Sequence, residues 1–274
     1  MELRTILRRL FGSKPFFGGV TQGVQSDPRR LVYLTSAINV AAREKPDLKV
    51  LEVGSWIGSS AMTIAEAFAE FSTGRAELVC VDPWGPYFSE ADLENSSLHR
   101  EMDDIASDDL AFELFRHNTS LVDGRVEIRP MRGLSTEVLK DLPSGNFDLI
   151  YIDGSHYYHA VKSDITQAQR LLRDGGLLCG DDLEVQVGDV SEEVARKWMD
   201  HDVAGYNEHG DIFHPGVTCA VHEAFNRKVS SYLGFWVQRK IGDQFVDVEL
   251  EGVEALIPRH LPLNVKMFIQ GKTL

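Results

Sequence analysis

Short, almost wholly apolar runs that end abruptly in acid constrain this chain more than any other feature. Phe147-Asp148-Leu149-Ile150-Tyr151-Ile152 stops at Asp153-Gly154-Ser155-His156, and Gly176-Leu177-Leu178-Cys179-Gly180 stops at Asp181-Asp182. A run of this kind reads as a buried strand of a parallel sheet. Open α/β sheets bind ligands in the crevice beyond the carboxyl ends of such strands. Three carboxylates and one imidazole gathered there are costly unless something uses them, and a divalent cation is the obvious user.

The rest of the chain alternates between the two periodicities. Val50–Val53, Leu78–Val81 (ending at Asp82), Val126–Ile128, Phe147–Ile152 and Gly176–Gly180 read as five strands. Helical spacing runs over Gly58–Phe71, with Ala61, Ile64, Ala65 and Phe68 inward, and over Tyr157–Arg173, with Val161, Ile165, Ala168 and Leu172 inward. An earlier helix has Asp27 as N-cap and Pro28 at its first position, and ends at Lys45-Pro46. Ser191 caps a helix to about Met199, Gly216–Asn226 reads as another, and Leu233–Gln238 with Phe245–Leu250 form a hairpin across Gly242-Asp243. Alternating strand and helix imply a mostly parallel sheet covered on both faces.

Composition narrows the function. The formal net charge of −14 over 274 residues repels phosphate backbones, so nucleic acid is not expected as a partner. Cys80, Cys179 and Cys219 have no disulfide or metal-ligand spacing; Cys80 and Cys179 fall in strands and read as small buried hydrophobes. No run approaches the roughly 20 apolar residues of a membrane span, and Arg4, Arg8 and Arg9 interrupt any signal-peptide core. A cytoplasmic protein is the expectation. Leu3, Ile6, Leu7, Leu10 and Phe11 make a basic amphipathic helix, read first as docking on its own fold or on a second subunit, and only weakly as touching a membrane surface. Residues 1–26 are thus an N-terminal helix and linker, 27–250 the main domain with 83–124 as an acidic insert or lid, and 251–274 a C-terminal extension.

The first strand runs into Glu52-Val53-Gly54-Ser55-Trp56-Ile57-Gly58-Ser59-Ser60. A dinucleotide fingerprint requires a second glycine where Trp56 stands and a third where Ser59 stands, which opposes NAD or FAD. The spacing Glu-x-Gly-x-x-x-Gly instead resembles the first motif of class I S-adenosylmethionine-dependent methyltransferases. The resemblance implies a Rossmann-like fold with a seven-stranded, mostly parallel sheet and an antiparallel C-terminal hairpin strand. It implies that Glu52, Gly54, Ser55, Gly58 and Ser60 surround the methionine part of S-adenosylmethionine, that Asp82 holds the ribose hydroxyls, and that Asp153 borders the cofactor. Ser135, in Gly133-Leu134-Ser135 after the third strand, is either an adenine neighbour or an N-cap for a short helix to Leu139. Trp56 and Trp84 either border a ligand or pack.

Asp153 followed by the acidic pair Asp181-Asp182 resembles a narrower group, the metal-dependent O-methyltransferases of the macrocin and mycinamicin sugar type. The likeness covers roughly residues 50–225 and includes Gly216-Val217-x-x-Ala220-Val221-x-Glu223-Ala224-Phe225. It implies Asp153, Asp181 and Asp182 as ligands of Mg²⁺, and His156, three residues after the first of them, as the base. The chemistry is coherent. A sugar hydroxyl is nearly fully protonated at neutral pH, and a bound cation lowers its pKa and orients its lone pair. The proton acceptor is left between His156 and Asp153. The expectation is therefore an O-methyltransferase of a small hydroxylated molecule, such as a sugar or glycosylated metabolite. A metal-independent methyltransferase using His156, and a non-catalytic adenosyl-ligand-binding protein, stand as alternatives. The segment holding His201, Asp202, His209, Asp211, His214, His222 and Glu223 has no metal-motif spacing and is read as facing substrate.

Overall fold

The computed structural model describes residues 6, 9–17, 27–205, 207 and 211–271. Leu3 and Leu7 of the expected N-terminal helix, and His209, lie outside them. Phe11 packs on the protein's own core, 4.6 Å from the Phe16 ring, while Leu10 is exposed. Among the described residues no helix is long and apolar enough to cross a membrane.

Helix α1 (Arg29–Glu44) precedes strand β1 (Leu48–Val53), followed by α2 (Ser59–Phe71) and β2 (Ala76–Asp82). Three helices fill the acidic insert: α3 (Glu90–Asn95), α4 (Ser97–Ser107) and α5 (Leu110–Thr119). Then come β3 (Val126–Arg132), α6 (Ser135–Val138), β4 (Phe147–Ile152), α7 (Tyr158–Leu171) and β5 (Leu172–Leu183). The remaining elements are α8 (Glu192–Lys197), β6 (Ala204–Gly205), β7 (Ile212–Phe213), α9 (Pro215–Phe225), β8 (Ser231–Tyr232), β9 (Gly234–Ile241), β10 (Gln244–Asp247) and α10 (Leu263–Ile269).

The main sheet has the order β10-β9-β5-β4-β1-β2-β3, with short β8 beside β9 as an eighth strand. Strands β1 to β5 are parallel, and β9 is antiparallel to both β5 and β10. The pleat divides the core. Val50, Leu78, Leu149, Leu177 and Val237 join α1, α2 and α5 on one face. Leu51, Val79, Ile150, Leu178 and Trp236 join α7 and α9 on the other. Successive side chains of a strand alternate between faces, so runs apolar at every position are buried twice over. Asp148, the one acid inside β4, sits at the opposite edge of the sheet from the crevice. It is 2% exposed, ion-paired with Lys45 and Arg173, and accepts the Lys49 N–H at 2.7 Å.

Among the boundaries that differ from the sequence expectation, three concern named candidate residues or the strand that carries the acids. The cap of α1 is Pro28 and the helix starts at Arg29, although Asp27 Oδ1 still accepts the Arg29 N–H at 2.9 Å. Ser135 is the first residue of α6, and Leu134 is its cap. Strand β5 does not stop at Gly180 but continues to Leu183. Its pairing with β9 slips between Gly180 and Leu183, and Asp182 has φ +61°. This bulge lets the strand carry two consecutive acids without pairing either to β9. Gly180 permits it by close approach: a Cβ there would lie 2.4 Å from the Trp236 ring.

Candidate active site

The site begins where two strand ends touch. Gly54 leaves β1 with φ +86°, and a Cβ on it would fall 1.9 Å from the Asp153 carbonyl oxygen. Asp153 N–H donates to Val53 O at 2.8 Å, and Gly54 N–H to Val81 O at 2.9 Å. The glycine turn is thereby locked against both neighbouring strands, and Asp153 stands directly beside it.

Glu52 lies behind this turn. It is fully buried and accepts from Ser55 Oγ at 2.5 Å, while its Oε1 has no partner. Burial raises its carboxyl above the ordinary range. Asp82, at the end of β2, accepts the N–H groups of Ser55 (2.9 Å), Trp56 (2.9 Å) and Trp84 (2.6 Å). Each carboxylate oxygen has two lone pairs, so Asp82 Oδ1, with one bond, retains one for a ligand. Trp84 is packed rather than presented, its ring 4.7 Å from Phe112 and 4.8 Å from Phe115. Trp56 Nε1 is enclosed and unbonded, a donor without a protein partner.

A cavity of about 950 Å³ opens in front of the turn. Gly54, Ser55, Ser60, Asp82, Ser135, Asp153, His156, Asp181 and Asp182 all line it, as do both tryptophans. Glu52 and Gly58 do not; they shape the turn from behind. The acidic insert forms the opposite wall through Tyr87, Phe88, His99 and Met102. Asp92 of α3 ties that wall down by accepting from Tyr157 Oη at 2.6 Å.

The acidic end of the cavity holds a chain of charges. Arg30 reaches in from α1 and pairs with Asp181 and, at 2.6 Å, with Asp182. Tyr151 Oη stands between Asp153 (3.1 Å) and Asp181 (3.0 Å). His156 is held at both ring nitrogens, Nε2 3.0 Å from Asp182 and Nδ1 2.8 Å from Asp202. His214 Nδ1 lies 3.1 Å from Glu184 and 3.9 Å from Asp182.

These contacts sort the carboxylates. Burial pushes Asp153 well above its usual range, and the charges of Asp181 and Asp182 add to it. Burial pushes Asp181 to about 6 despite Arg30. Burial also opposes ionisation of Asp182, but Arg30, His214 and His156 outweigh it and hold it well below the ordinary value. For His156 burial disfavours the charged ring, yet Asp202 and Asp182 prevail and raise it well above the usual imidazole value. An imidazole bonded at both nitrogens and favoured as a cation has no free lone pair for a proton.

The residues in reach of one ion are not the three expected acids. Among the described residues, His156, Asp182 and His214 are the group whose donor atoms all lie within 4.8 Å of one another. Arg30, Tyr151, Asp202 and His214 contact the acids and His156, and sequence reasoning missed them or left them without a role. Tyr151 carried a signal, since it shares a strand face with Asp153 two residues on. Arg30 carried none. Of the His-rich segment, Asp202 and His214 face the cavity, His201 lies 3.7 Å from Asp92, and Glu223 binds Lys162 and Arg196 outside it.

Residues 51–183 match the family described as "Methyltransferase domain". No curated protein sequence matches the chain. The solved structure of the O-methyltransferase NovP is similar in fold, with a TM-score of 0.52 at 15% identity, covering 78% of this chain and 80% of that one. The apo structure of CalS11, a TDP-rhamnose 3'-O-methyltransferase, matches with a TM-score of 0.41 at 15% identity over 75% and 76% of the two chains. An O-methyltransferase from Bacillus cereus in complex with SAH gives 0.37 at 19% identity over 74% and 77%. With a glycine turn and a strand-end acid lining one cavity inside the matched segment, residues 51–183 carry a methyltransferase domain on a Rossmann-like fold.

Proposed function

We propose that this enzyme methylates a hydroxyl oxygen of a small molecule, a sugar or glycosylated metabolite, and that Asp153 accepts the proton. The observation that carries the reading is the position of Asp153. It lies against the Gly54 turn, lines the cavity, and has a carboxyl made more basic by burial. Bound S-adenosylmethionine would supply an electrophilic methyl group on a sulfonium. The chain's own task is then to hold the acceptor oxygen in line and to remove its proton. Tyr151 donates to Asp153 Oδ2 and fixes the carboxylate in the plane of the strand end. The insert wall formed by Tyr87, Phe88 and Met102 excludes water from the same space. Polar groups at one end and aromatic ones at the other suit an acceptor with several hydroxyls on a partly apolar frame. NovP, named an O-methyltransferase, shares the fold, and the resemblance of the acidic motifs to sugar methyltransferases points the same way.

His156 is less suited to be the base, because both its nitrogens are engaged by carboxylates. Magnesium on Asp153, Asp181 and Asp182 does not fit the residues as they stand. Arg30 already neutralises two of the three, and the three do not converge within one ion's reach among the described residues. The test is labelled-methyl transfer from S-adenosylmethionine to a panel of sugar nucleotides and glycosides. Label in an alkali-stable ether on the acceptor supports the reading; label on nitrogen or carbon refutes the oxygen acceptor.

A further inference from the structure

One group in the cavity is unused by the proposed methyl transfer: the pair of imidazoles facing Asp182. His156 Nε2 is 3.0 Å from Asp182 Oδ2, and His214 Nδ1 is 3.9 Å from Asp182 Oδ1. Two ligands about 2.1 Å from one ion, at right or tetrahedral angles, stand about 3.0–3.4 Å apart. The three donor atoms all lie within 4.8 Å of one another, so side-chain movement is needed to close them on one ion.

The second coordination layer is present as well. Asp202, 3% exposed, sits 2.8 Å from His156 Nδ1, and its other oxygen is 3.3 Å from His99 Nε2. Asp202 keeps a proton on Nδ1, so an ion that displaces the Nε2 proton, which is shared with Asp182, meets the lone pair there, as metal-bound imidazoles require. Backbone packing brings the two histidines together across 58 positions of sequence. A Cβ on Gly216 would lie 2.1 Å from the His156 carbonyl oxygen, so the start of α9 lies directly on the loop after β4. The rings meet nearly edge-on, with centroids 4.4 Å apart. Glu184 braces the His214 ring at 3.1 Å.

We propose that His156, Asp182 and His214 bind one divalent transition-metal ion, with Asp202 as the positioning residue for His156. Two imidazoles and one carboxylate select an ion of the cobalt–zinc class over magnesium, which prefers oxygen throughout. The set shares only Asp182 with the three-acid site expected from the sequence. Arg30 accounts for the difference: it pairs with Asp181 and with Oδ1 of Asp182, and leaves Asp182 Oδ2 directed at His156. This inference concerns the cavity of the proposed reaction but does not depend on which atom is methylated.

The experiment is titration of the full, chelator-treated chain with Co²⁺, with no methyl donor present. Calorimetry gives the stoichiometry, and proton NMR in water detects exchangeable imidazole protons shifted by the paramagnetic ion. One Co²⁺ per chain, two such signals and no displacement by excess Mg²⁺ are expected. His156→Gln and His214→Gln each remove one signal. Asp202→Asn weakens binding by about 10–100-fold, whereas Asp153→Asn and Asp181→Asn leave it unchanged. Absence of shifted imidazole signals in the wild-type chain overturns the proposal whether or not any variant folds. So does equal competition by Mg²⁺, or loss of binding in Asp153→Asn. None of these outcomes bears on methyl transfer, which is measured separately.

Discussion

Asp164→Asn is a sharp test of how this fold tolerates buried charge. Asp164 sits on the inner face of α7, 1% exposed, and neither carboxylate oxygen has a hydrogen-bond partner. Burial pushes its carboxyl up to about 7, with only the nearby Ser135 hydroxyl easing ionisation. In the unfolded chain it titrates near 3.8. The folded value is the higher one, so folding favours the protonated form. The stability this provides is complete below the unfolded value and is lost as pH rises through the folded value. A tenfold change in the ionisation equilibrium corresponds to about 1.36 kcal/mol, so the penalty is about 2 kcal/mol at pH 5.5 and approaches about 4 kcal/mol by pH 8.5. Asparagine has nearly the same shape and never ionises. Urea unfolding at both pH values, on wild type and Asp164→Asn, isolates the effect. Relative to the variant, wild type is expected to lose about 2 kcal/mol between pH 5.5 and 8.5. Parallel pH dependences for the two proteins would refute the reasoning.

Other consequences are equally measurable. Gly54→Ala drives a Cβ to 1.9 Å from a backbone oxygen at φ +86°, whereas Gly58→Ala meets only Thr119 and Phe115 side chains at 3.0 and 3.2 Å. Thermal unfolding is expected to show the larger loss for Gly54→Ala, about 3 kcal/mol or more. Asp148→Ala removes the shared partner of Lys45, Arg173 and the Lys49 N–H. It is expected to cost about 3 kcal/mol by urea unfolding, the lower end for a buried pair, because both cations reach water. Asp82→Ala frees two backbone N–H groups of the glycine turn and that of Trp84, and is expected to weaken S-adenosylhomocysteine binding by about 10-fold or more in calorimetry.

The alternation of strands with helices was legible because β1, β2, β4 and β5 are largely buried on both faces, which writes mostly apolar runs, while the edge strand β3 is largely exposed. The terminal hairpin was legible in Gly242-Asp243. The continuation of β5 was not, because Asp182 at φ +61° belongs to a bulge set by the register with β9 and by Trp236 against Gly180. No local pattern encodes that. The acids and His156 line one cavity, since each follows or closes a strand of one sheet edge. Their partners were hidden. Arg30 lies about 150 residues from the acids it neutralises, and α1 reads only as an amphipathic helix. His214 and Asp202 sit in a segment whose spacing carries no motif; the contact of Gly216 with the His156 backbone and the Tyr158 N–H bond to Met199 O bring them in. Glu52 illustrates the converse. Its motif position is as expected, but its carboxylate is engaged by Ser55 rather than presented to the cavity.

The central claim is that Asp153 takes the proton as a hydroxyl is methylated beside the Gly54 turn. Its most direct test is Asp153→Asn, assayed for labelled-methyl transfer to the best acceptor of the wild-type panel, with S-adenosylhomocysteine affinity measured in parallel. The account predicts unchanged affinity and a fall in kcat of about 10²–10⁴-fold, the ordinary contribution of a general base. Retention of wild-type kcat in a variant that still binds S-adenosylhomocysteine would contradict it.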